Sequence, residues 1–329
     1  MLIHLIPYHL NMTEDNRKDR FLCVIDGSYF GYFVLFGSVS EFQKRYPEIA
    51  STWIKPPEEC DQKNLPNLLN CEEFRRILKQ FTMKRIETVD WIAKENFQDE
   101  LDMVSGIDYI FAMDDRVSYS FRKKLYPEYK AHRALVKRSY QLQPIKDYIV
   151  NVIFKELEVE ETYGYRLIKI EGAEGDDVIA TALLNFKDKY LASMLVASDH
   201  DFLQIDGVRE FDLFGKEAKR DLGGEIVSAD DYLLGKILMG DKSDNIKQVF
   251  PKCGPKTALK WTKDKAALKN ILKESQDAAS RYLLNKKIIS FKEIPTELSN
   301  TILEKVNVAL YTNEQINNST IDLRDFMSL

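Results

Sequence analysis

Short apolar runs alternate along the chain with longer segments in which apolar residues recur at the spacing of a helix. Five runs are apolar enough to predict buried strands, at residues 21–25, 108–113, 165–170, 194–197 and 208–213. Helical spacing is found between them, at residues 72–94, 143–157 and 176–187. This alternation predicts an α/β fold with a central, mostly parallel sheet flanked by helices.

The pattern changes after about residue 228, where the strands stop and Lys-rich helical segments follow. These segments cover residues 229–239, 256–261, 265–274, 278–289 and 296–306. We therefore divide the chain into an N-terminal extension, an α/β core and a C-terminal helical region with a tail, at residues 1–20, 21–227 and 228–329.

Three of the predicted strands end in an aspartate: Asp26, Asp114 and Asp199. In an open parallel sheet, ligands bind outside the carboxyl ends of the strands, so these three side chains are expected to converge at one edge. Each of them alone could instead cap the helix that follows, because Asp is a favoured N-cap residue. Three such residues together predict a site.

Further carboxylates lie next to these strand ends. Glu174, Asp176 and Asp177 open a predicted helix, and Asp201 follows Asp199 by two residues. Carboxylates that are crowded together repel one another and have raised pKa values unless a positive charge neutralises them. A set of oxygen ligands without Cys or His favours Mg2+ or Mn2+ over Zn2+, which predicts a site for hard divalent cations.

The composition indicates a globular, cytoplasmic protein without membrane contact. Its 329 residues are 44% apolar, which is enough for a core. No apolar run approaches the ~18 residues that a membrane span needs. The four cysteines form no C-x-x-C pair, as expected in a reducing cytoplasm, which for a phage-encoded protein would be that of the host. The net charge of −5 argues at face value against a nucleic-acid partner.

Two segments nevertheless carry a strong positive charge. Between residues 116 and 138, eight Lys or Arg face one acid, Glu128, for a local charge of +7, and aromatic residues are interleaved with them. Between residues 247 and 273, eight Lys face only Asp264, again +7, and a turn at 254–257 leads into a helix N-terminus. Such segments suit phosphate contacts and base stacking, although a charge run is usually only a solvated face.

Five motifs in a fixed order resemble those of the 5′ nuclease or flap endonuclease superfamily. They are D-G-S at 26–28, F-R-x-x-x-x-P-E-Y-K-x-x-R at 121–133, E-G-D-D at 174–177, S-D-H-D at 198–201 and G-D-K-S-D-N-I at 240–246. The segment 288–306 is similar to the C-terminal part of the ribonuclease H of T-even phages. The resemblance implies a PIN-like nuclease core and a helical, DNA-binding region that contains a helix-turn-helix.

The resemblance also implies an activity and its cofactors. The protein would be a 5′-3′ exonuclease and structure-specific flap endonuclease in RNA primer removal and Okazaki fragment processing, using two Mg2+ ions for which Mn2+ can substitute. A first group of acids would hold one cation: Asp26, Asp114, Glu174, Asp176 and Asp199. A second group would hold the other: Asp177, Asp201, Asp241 and Asp244.

The same resemblance implies roles for the basic residues. Lys130 and Arg133 would be the catalytic cations of a basic arch at about 116–140. Contacts to nucleic acid would come from residues in both basic segments: Arg122, Lys123, Lys124, Tyr129, Lys137, Arg138, Lys252, Gly254, Lys256 and Lys260. We expect a monomer that binds DNA or an RNA–DNA duplex with a 5′ end or flap. A single-stranded-DNA-binding protein and a sliding clamp are further candidate partners; the apolar and acidic tail at 321–327 would dock on the clamp or else be a frayed terminus.

The sequence departs from the superfamily in two places that affect the site. Asp115 adjoins Asp114 and could take its role. The Gly-rich turn of the superfamily reads Q-V-F-P-K-C-G at 248–254, which keeps only Gly254 and argues against the monovalent-ion site often found there.

Three other classes of protein share part of this pattern. A small-molecule phosphatase could use Asp199 and Asp201 but would not need two basic segments. A non-catalytic DNA-binding replication subunit would keep those segments and could lose the acids, and a PIN-type ribonuclease would lack the Lys-rich helical region. The nuclease is favoured because every expected acid is present. Removing those nine acids changes the charge from −5 to −5 + 9 = +4, so the acidity of the whole chain does not exclude a nucleic-acid partner.

Overall fold

The computed structural model describes residues 17–53, 67–115, 120–131 and 143–310. Its centre is a parallel sheet of five strands in the order β3-β2-β1-β4-β5. The strands are β1 (Arg17–Asp26), β2 (Gly106–Met113), β3 (Tyr165–Lys169), β4 (Tyr190–Val196) and β5 (Arg209–Phe211). The predicted α/β class with a parallel central sheet is therefore confirmed.

Strand β1 lies in the middle of the sheet, and the chain adds strands first on one side of it and then on the other. Strands β2 and β3 lie on one side, whereas β4 and β5 lie on the other. The strand order therefore reverses between β1 and β4, and a doubly wound sheet opens a crevice at the carboxyl ends of its strands at such a point. Asp26, the last residue of β1, lies at this crevice.

Helices cover both faces of the sheet. The helices of the core are α1 (Gly27–Arg45), α2 (Glu72–Asn96), α3 (Phe121–Leu125), α4 (143–156) and α5 (Gly175–Phe186), and α4 contains a π-helical stretch at Ile149–Ile153. Helices α1, α2 and α4 pack on one face in a cluster that includes Phe30, Phe74 and Ile145. Helix α5 packs on the other face. Shorter helical turns lie at Pro47–Trp53, Gln98–Leu101, Val159–Tyr163, His200–Gln204 and Phe291–Glu293.

The face covered by α5 is also the face of the strand-end acids. The apolar cluster beneath α5 includes one residue near the end of each of three strands: Val24, Ala112 and Ala197. Side chains two positions apart on a strand point to the same face. Asp26, the last residue of β1, lies two positions after Val24 and therefore leaves the sheet on that face. Asp114 follows the end of β2 by one residue and contacts the amide of Gly175 at the start of α5, and Asp199 follows the end of β4 by three residues.

The hydrophobic pattern fails to predict helix α1. Its sequence lacks the polar stripe of an amphipathic helix, because apolar residues lie on its exposed side as well: Phe30, Val34 and Leu35 are buried, whereas Phe36 is 50% exposed. The helix begins where Asp26 caps it, accepting hydrogen bonds from the amides of Ser28 and Tyr29 at 2.9 and 3.0 Å. Strand β1 also begins at Arg17, four residues before the predicted start of the strand.

The chain after the sheet is helical, as predicted. A small hairpin, β6 (Asp221–Leu222) and β7 (Glu225–Ile226), leads into α6 (Ala229–Met239), α7 (Pro255–Lys263), α8 (Lys265–Glu274), α9 (Gln276–Ile289) and α10 (296–310). Helices α6, α7, α8 and α9 share their own apolar clusters. One of these clusters contains Tyr129 together with Ile237, Ile246 and Ile288, which joins the base of the basic segment to the helical region.

Three of the four cysteines lie in the described ranges. Cys23, Cys71 and Cys253 are buried free thiols. Within the described ranges, no helix has the length and apolar character needed to cross a membrane. Cys60 and the tail at 321–327 lie outside the described residues.

Candidate metal centre

Asp26 and Asp114 lie together where α1 and α5 begin. Asp114 accepts a hydrogen bond from the amide of Gly175 at 2.7 Å through Oδ1, and Ser28 Oγ donates to its Oδ2. The pKa of Asp26 is raised to about 7, mainly by burial and also by the charges of Asp114 and Asp199, while the hydrogen bonds from the Tyr29 and Ser28 amides oppose the shift. The three strand-end acids thus act on one another, as the predicted convergence requires.

Asp115, the predicted alternative to Asp114, faces elsewhere. Its carboxylate accepts from the amide of Gly172 at 2.9 Å, and the Lys169 ammonium lies 3.9 Å from it. The structure therefore brings Asp114, and not its neighbour, to Asp26.

Asp176 extends the first acidic group from the first turn of α5. Burial raises the pKa of Asp176 well above its ordinary value; Lys130 opposes this shift, and Asp199, Asp114 and Asp26 add to it. Acids from β1, β2, β4 and α5 therefore share one electrostatic neighbourhood at the edge of the sheet.

Asp177 is buried in the interior of the protein. It is fully buried, and its Oδ1 pairs with Arg122 at 2.6 Å while its Oδ2 accepts from the amide of Glu174 at 3.1 Å as part of a capping box. Arg122, itself 3% exposed, also donates to the carbonyl of Ile288 at 2.8 Å. These contacts correct one prediction: Arg122 is buried and does not lie on a nucleic-acid surface. Asp177 as a cation ligand stays a prediction, and its pair with Arg122 gives it a role in holding the first turn of α5.

Lys130 lies between the two acidic groups. Its ammonium pairs with Glu174 Oε2 and lies 3.9 Å from Asp244 Oδ2. Burial alone would lower the pKa of Lys130 and raise that of Glu174, but the pair reverses both shifts: the pKa of Lys130 is raised and that of Glu174 is lowered. Tyr129 also donates to Glu174, at 3.2 Å, and is 3% exposed. Its predicted contact with nucleic acid is therefore wrong, since its ring is in the interior.

The second acidic group is organised around Lys236. Asp199 Oδ1 accepts from the amide of Asp201 at 2.9 Å, and the Lys236 ammonium lies 2.7 Å from Asp201 and 3.3 Å from Asp241. Asp241 also accepts from the amide and hydroxyl of Ser243, at 2.7 and 2.6 Å. Burial would raise the pKa of Asp241, but these donors lower it; the pKa of Asp201 is raised by burial and by Asp199.

Sequence reasoning missed three charged residues of this centre: Lys146, Lys236 and Glu210. Lys146 is 6% exposed, its ammonium lies 4.9 Å from the centre of the Tyr32 ring, and the charges of Asp114 and Asp26 act on it. Glu210 is 3% exposed, and burial together with Asp199, Asp26 and Asp201 raises its pKa to about 8. No local signal singles out Lys146 or Glu210, because each stands next to another charged residue: Asp147 follows Lys146, and Arg209 precedes Glu210.

The chemistry of these residues fits a hard divalent cation, although the side chains are not gathered around one. Among the described residues, no three Asp, Glu, His or Cys side chains lie close enough together to hold a metal ion without rearrangement. The acids repel one another, as the raised pKa values of Asp26 and Asp176 show, and Glu174 Oε1 is buried without a hydrogen bond. A divalent cation would offset the repulsion among the acids, because it attracts each of them. It would also give the unpaired oxygen of Glu174 a partner, because such cations bind oxygen ligands.

Basic side chains for a polyanionic ligand remain on two surfaces. Lys252, Lys256 and Lys260 are exposed near the start of α7, which Gly254 caps, and no carboxylate of the described ranges pairs with any of the three. Lys124 is exposed on α3, whereas the Lys123 ammonium contacts the carbonyl of Tyr129 at 3.1 Å. The predicted contacts Lys137 and Arg138 lie outside the described residues, and so does Arg133, the second predicted catalytic cation.

Comparison with known proteins gives one family model and several relatives. Residues 96–222 match the N-terminal resolvase-like domain of 5′-3′ exonucleases. The chain is 28% identical over 189 residues to a 5′-3′ exonuclease of Buchnera aphidicola and 30% identical over 173 residues to one of Aquifex aeolicus, which covers 56% and 50% of this chain. It is 29% identical over 175 residues to DNA polymerase I of Mycobacterium bovis. The chain spans 62%, 55% and 18% of these three proteins, respectively.

Two solved structures of bacteriophage T5 proteins share the fold. One is the T5 5′-exonuclease with bound divalent zinc ions, with a TM-score of 0.54 at 17% identity, covering 91% of this chain and 99% of that one. The other is a T5 flap endonuclease in a pseudo-enzyme–product complex with DNA and metal ions, with a TM-score of 0.53 at 17% identity, covering 91% and 98%. At this identity the likeness shows the fold, which extends over both the sheet and the helical region.

Proposed function

We infer from the confirmed likeness to the 5′ nuclease superfamily that this protein is a divalent-metal-dependent nuclease acting at 5′ ends. Its substrates are DNA or RNA–DNA duplexes and flaps, and its cofactor is Mg2+, for which Mn2+ can substitute. One observation carries the proposal: acids from β1, β2, β4 and α5 interact at the sheet edge where the strand order reverses. That is where a doubly wound sheet binds its ligand.

The acids have separate tasks in this proposal. Asp26, Asp114, Asp176 and Asp199 hold one cation, with Glu174 beside them, and a second cation is held by Asp201, Asp241 and Asp244. Two bound cations polarise a phosphodiester and lower the pKa of a water molecule, which makes a nucleophile near neutral pH. Asp177 and Arg122 support the site indirectly, because their pair fixes the first turn of α5 from which Glu174 and Asp176 project.

Lys130 supplies positive charge next to the phosphate. In the protein alone its ammonium neutralises Glu174 and lies near Asp244, between the two cation positions. Once cations neutralise these acids, the ammonium is free to stabilise charge that builds up on the phosphoryl oxygens. Arg133 stays a prediction for the same role.

The surface around Lys252, Lys256 and Lys260 binds the phosphates of the duplex. None of the three lysines forms an ion pair with a carboxylate of the described ranges. They are therefore available to neutralise phosphates, which releases counterions and favours binding. In a cell such an enzyme would remove RNA primers and process Okazaki fragments as a monomer, with single-stranded-DNA-binding protein and a sliding clamp as candidate partners.

Cleavage of end-labelled substrates tests the proposed function. We expect the wild-type protein to cut nicked, flapped and RNA-primed duplexes when Mg2+ is present and not when EDTA replaces it. Asp199→Asn should abolish cleavage of all three substrates, since Asp199 interacts with both acidic groups: its charge acts on Asp176, and it accepts a hydrogen bond from the amide of Asp201. If the wild-type protein binds these duplexes and cuts none, it is a non-catalytic DNA-binding subunit instead.

A further inference from the structure

Glu210 lies in β5, beneath the acids at the strand ends. The register pairs it with Leu195, four residues before Asp199. Leu195 belongs to the cluster on the α5 side of the sheet, whereas Phe211, the next residue after Glu210, belongs to the cluster on the opposite side. Because side chains alternate along a strand, Glu210 lies on the same face as the strand-end acids.

No donor in the described residues satisfies this carboxylate. The side chain is 3% exposed, and neither of its oxygens has a hydrogen-bond partner. Its neighbour Arg209 is occupied by Glu217, at 2.8 Å. The charges acting on Glu210 are those of Asp199, Asp26 and Asp201, which are all negative. A buried carboxylate in such surroundings is costly, and buried acceptors without a protein partner typically hold an ordered water or an ion.

The position of Glu210 favours an indirect role over direct coordination. Glu210 is level with Leu195, one residue before the end of β4, whereas Asp199 lies three residues beyond that end, so the glutamate lies below the acids that hold the cations. Groups at that distance act on a metal by hydrogen bonding to its ligands, including bound water.

We propose that Glu210 is a positioning carboxylate of the first cation, the one held by Asp26 and Asp199 among others, whose ordered water ligands donate hydrogen bonds to its two unpaired oxygens. The positive charge above it then offsets the burial of its negative charge. This inference rests on the proposed function, because it requires that the acidic groups bind a divalent cation.

Direct Mn2+ binding, measured without nucleic acid, tests the role of Glu210. Isothermal titration calorimetry with MnCl2 should show that Glu210→Gln weakens one Mn2+ site about 10-fold, the lower end of what loss of such a partner costs. The metal-free variant should unfold at a higher temperature than the wild type, since an unpaired buried charge has been removed. Glu217→Gln, which neutralises a half-exposed acid nearby, should leave Mn2+ affinity unchanged.

The outcomes separate this inference from the proposed function. Wild-type Mn2+ affinity in Glu210→Gln overturns the role of Glu210 alone, and so does an equal loss in the Glu217→Gln control. If the wild-type protein takes up no Mn2+, both the role of Glu210 and the metal-dependent nuclease are wrong. Should Glu210→Gln fail to fold by circular dichroism, Glu210→Asp, which keeps the charge on a shorter side chain, must show a weakened site for the inference to stand.

Discussion

The ammonium of Lys130 forms a buried ion pair with the carboxylate of Glu174, and this pair connects the base of the basic segment to the first turn of α5. Lys130 also has a φ of +53°, in the left-handed region that a residue with a side chain rarely adopts. Its amide donates to the carbonyl of Asp244 at 3.0 Å, which holds this conformation. The lysine is thus fixed between the two acidic groups by its side chain and by its backbone.

Lys130→Ala should slow the chemical step. We expect a loss of about 100-fold in the single-turnover rate on a flap substrate at saturating Mg2+, the order of effect seen when one preorganised donor is removed. Lys123→Ala is the matched control, since its ammonium contacts only the carbonyl of Tyr129 among the described residues. The proposed role of Lys130 is wrong if both variants cleave at the wild-type rate.

Arg122→Met should destabilise the fold. It leaves the fully buried Asp177 carboxylate without its partner, and breaking a buried ion pair in this way costs about 3–5 kcal/mol. Lys79→Met breaks an exposed pair with Glu156 and should cost less than about 1 kcal/mol. Urea unfolding measures both values, and similar small losses would show that Arg122 does not support the first turn of α5.

The Asp26 carboxyl should make the stability of the metal-free protein depend on pH. Its pKa is raised from 3.8 to about 7, so the folded chain binds this proton more tightly than the unfolded chain. The group therefore favours folding at low pH, and its contribution is lost as the pH rises from about 4 to 7.

Asp26→Asn isolates this effect while keeping an N-cap residue. We expect the substitution to increase the free energy of unfolding in EDTA by about 1 kcal/mol or more at pH 8 and to change it little at pH 4. Urea unfolding at the two pH values is the measurement. An equal increase in the free energy of unfolding at pH 4 and at pH 8 would show that the Asp26 carboxylate is not destabilised by its neighbours.

Lys256→Ala should weaken duplex binding and reduce its dependence on salt. Loss of one phosphate contact lowers the salt slope by about 1 and affects all sequences alike. Lys263→Ala removes a lysine of the same helix that pairs with Glu225 at 2.7 Å, so its effect should be smaller. Fluorescence anisotropy in Ca2+ at several salt concentrations measures the dependence of duplex affinity on salt for each protein. Equal salt slopes for the wild type, Lys256→Ala and Lys263→Ala would exclude α7 as the contact surface.

The sequence was sufficient to locate the strands, most helices and the acids at the strand ends. Asp26, Asp114 and Asp199 could be predicted because an apolar run that ends in Asp is a local feature, and the parallel order of the strands brings their carboxyl ends to one edge. Helix α1 could not, since apolar residues on its exposed side as well as its buried side leave no polar stripe by which a helix is recognised.

Burial of charged residues was not predictable in the same way. Arg122 and Tyr129 stand in a basic and aromatic run that is typical of a nucleic-acid surface, yet their partners, Asp177 and Glu174, lie 55 and 45 residues further along the chain. Lys236 and Asp201 likewise form their ion pair only in the folded protein. Such pairs depend on tertiary packing, and no local pattern of the sequence records them.

Cleavage of a 5′-labelled flap duplex by Asp114→Asn and Asp115→Asn tests the central claim most directly. The two acids are adjacent and chemically identical, but only Asp114 contacts the helix starts at Ser28 and Gly175, where the first cation is proposed to bind. We predict that Asp114→Asn lowers the Mg2+-dependent single-turnover rate by about 100-fold or more, whereas Asp115→Asn cleaves at close to the wild-type rate. Equal rates for the two variants would contradict the assignment of the metal centre to this edge of the sheet.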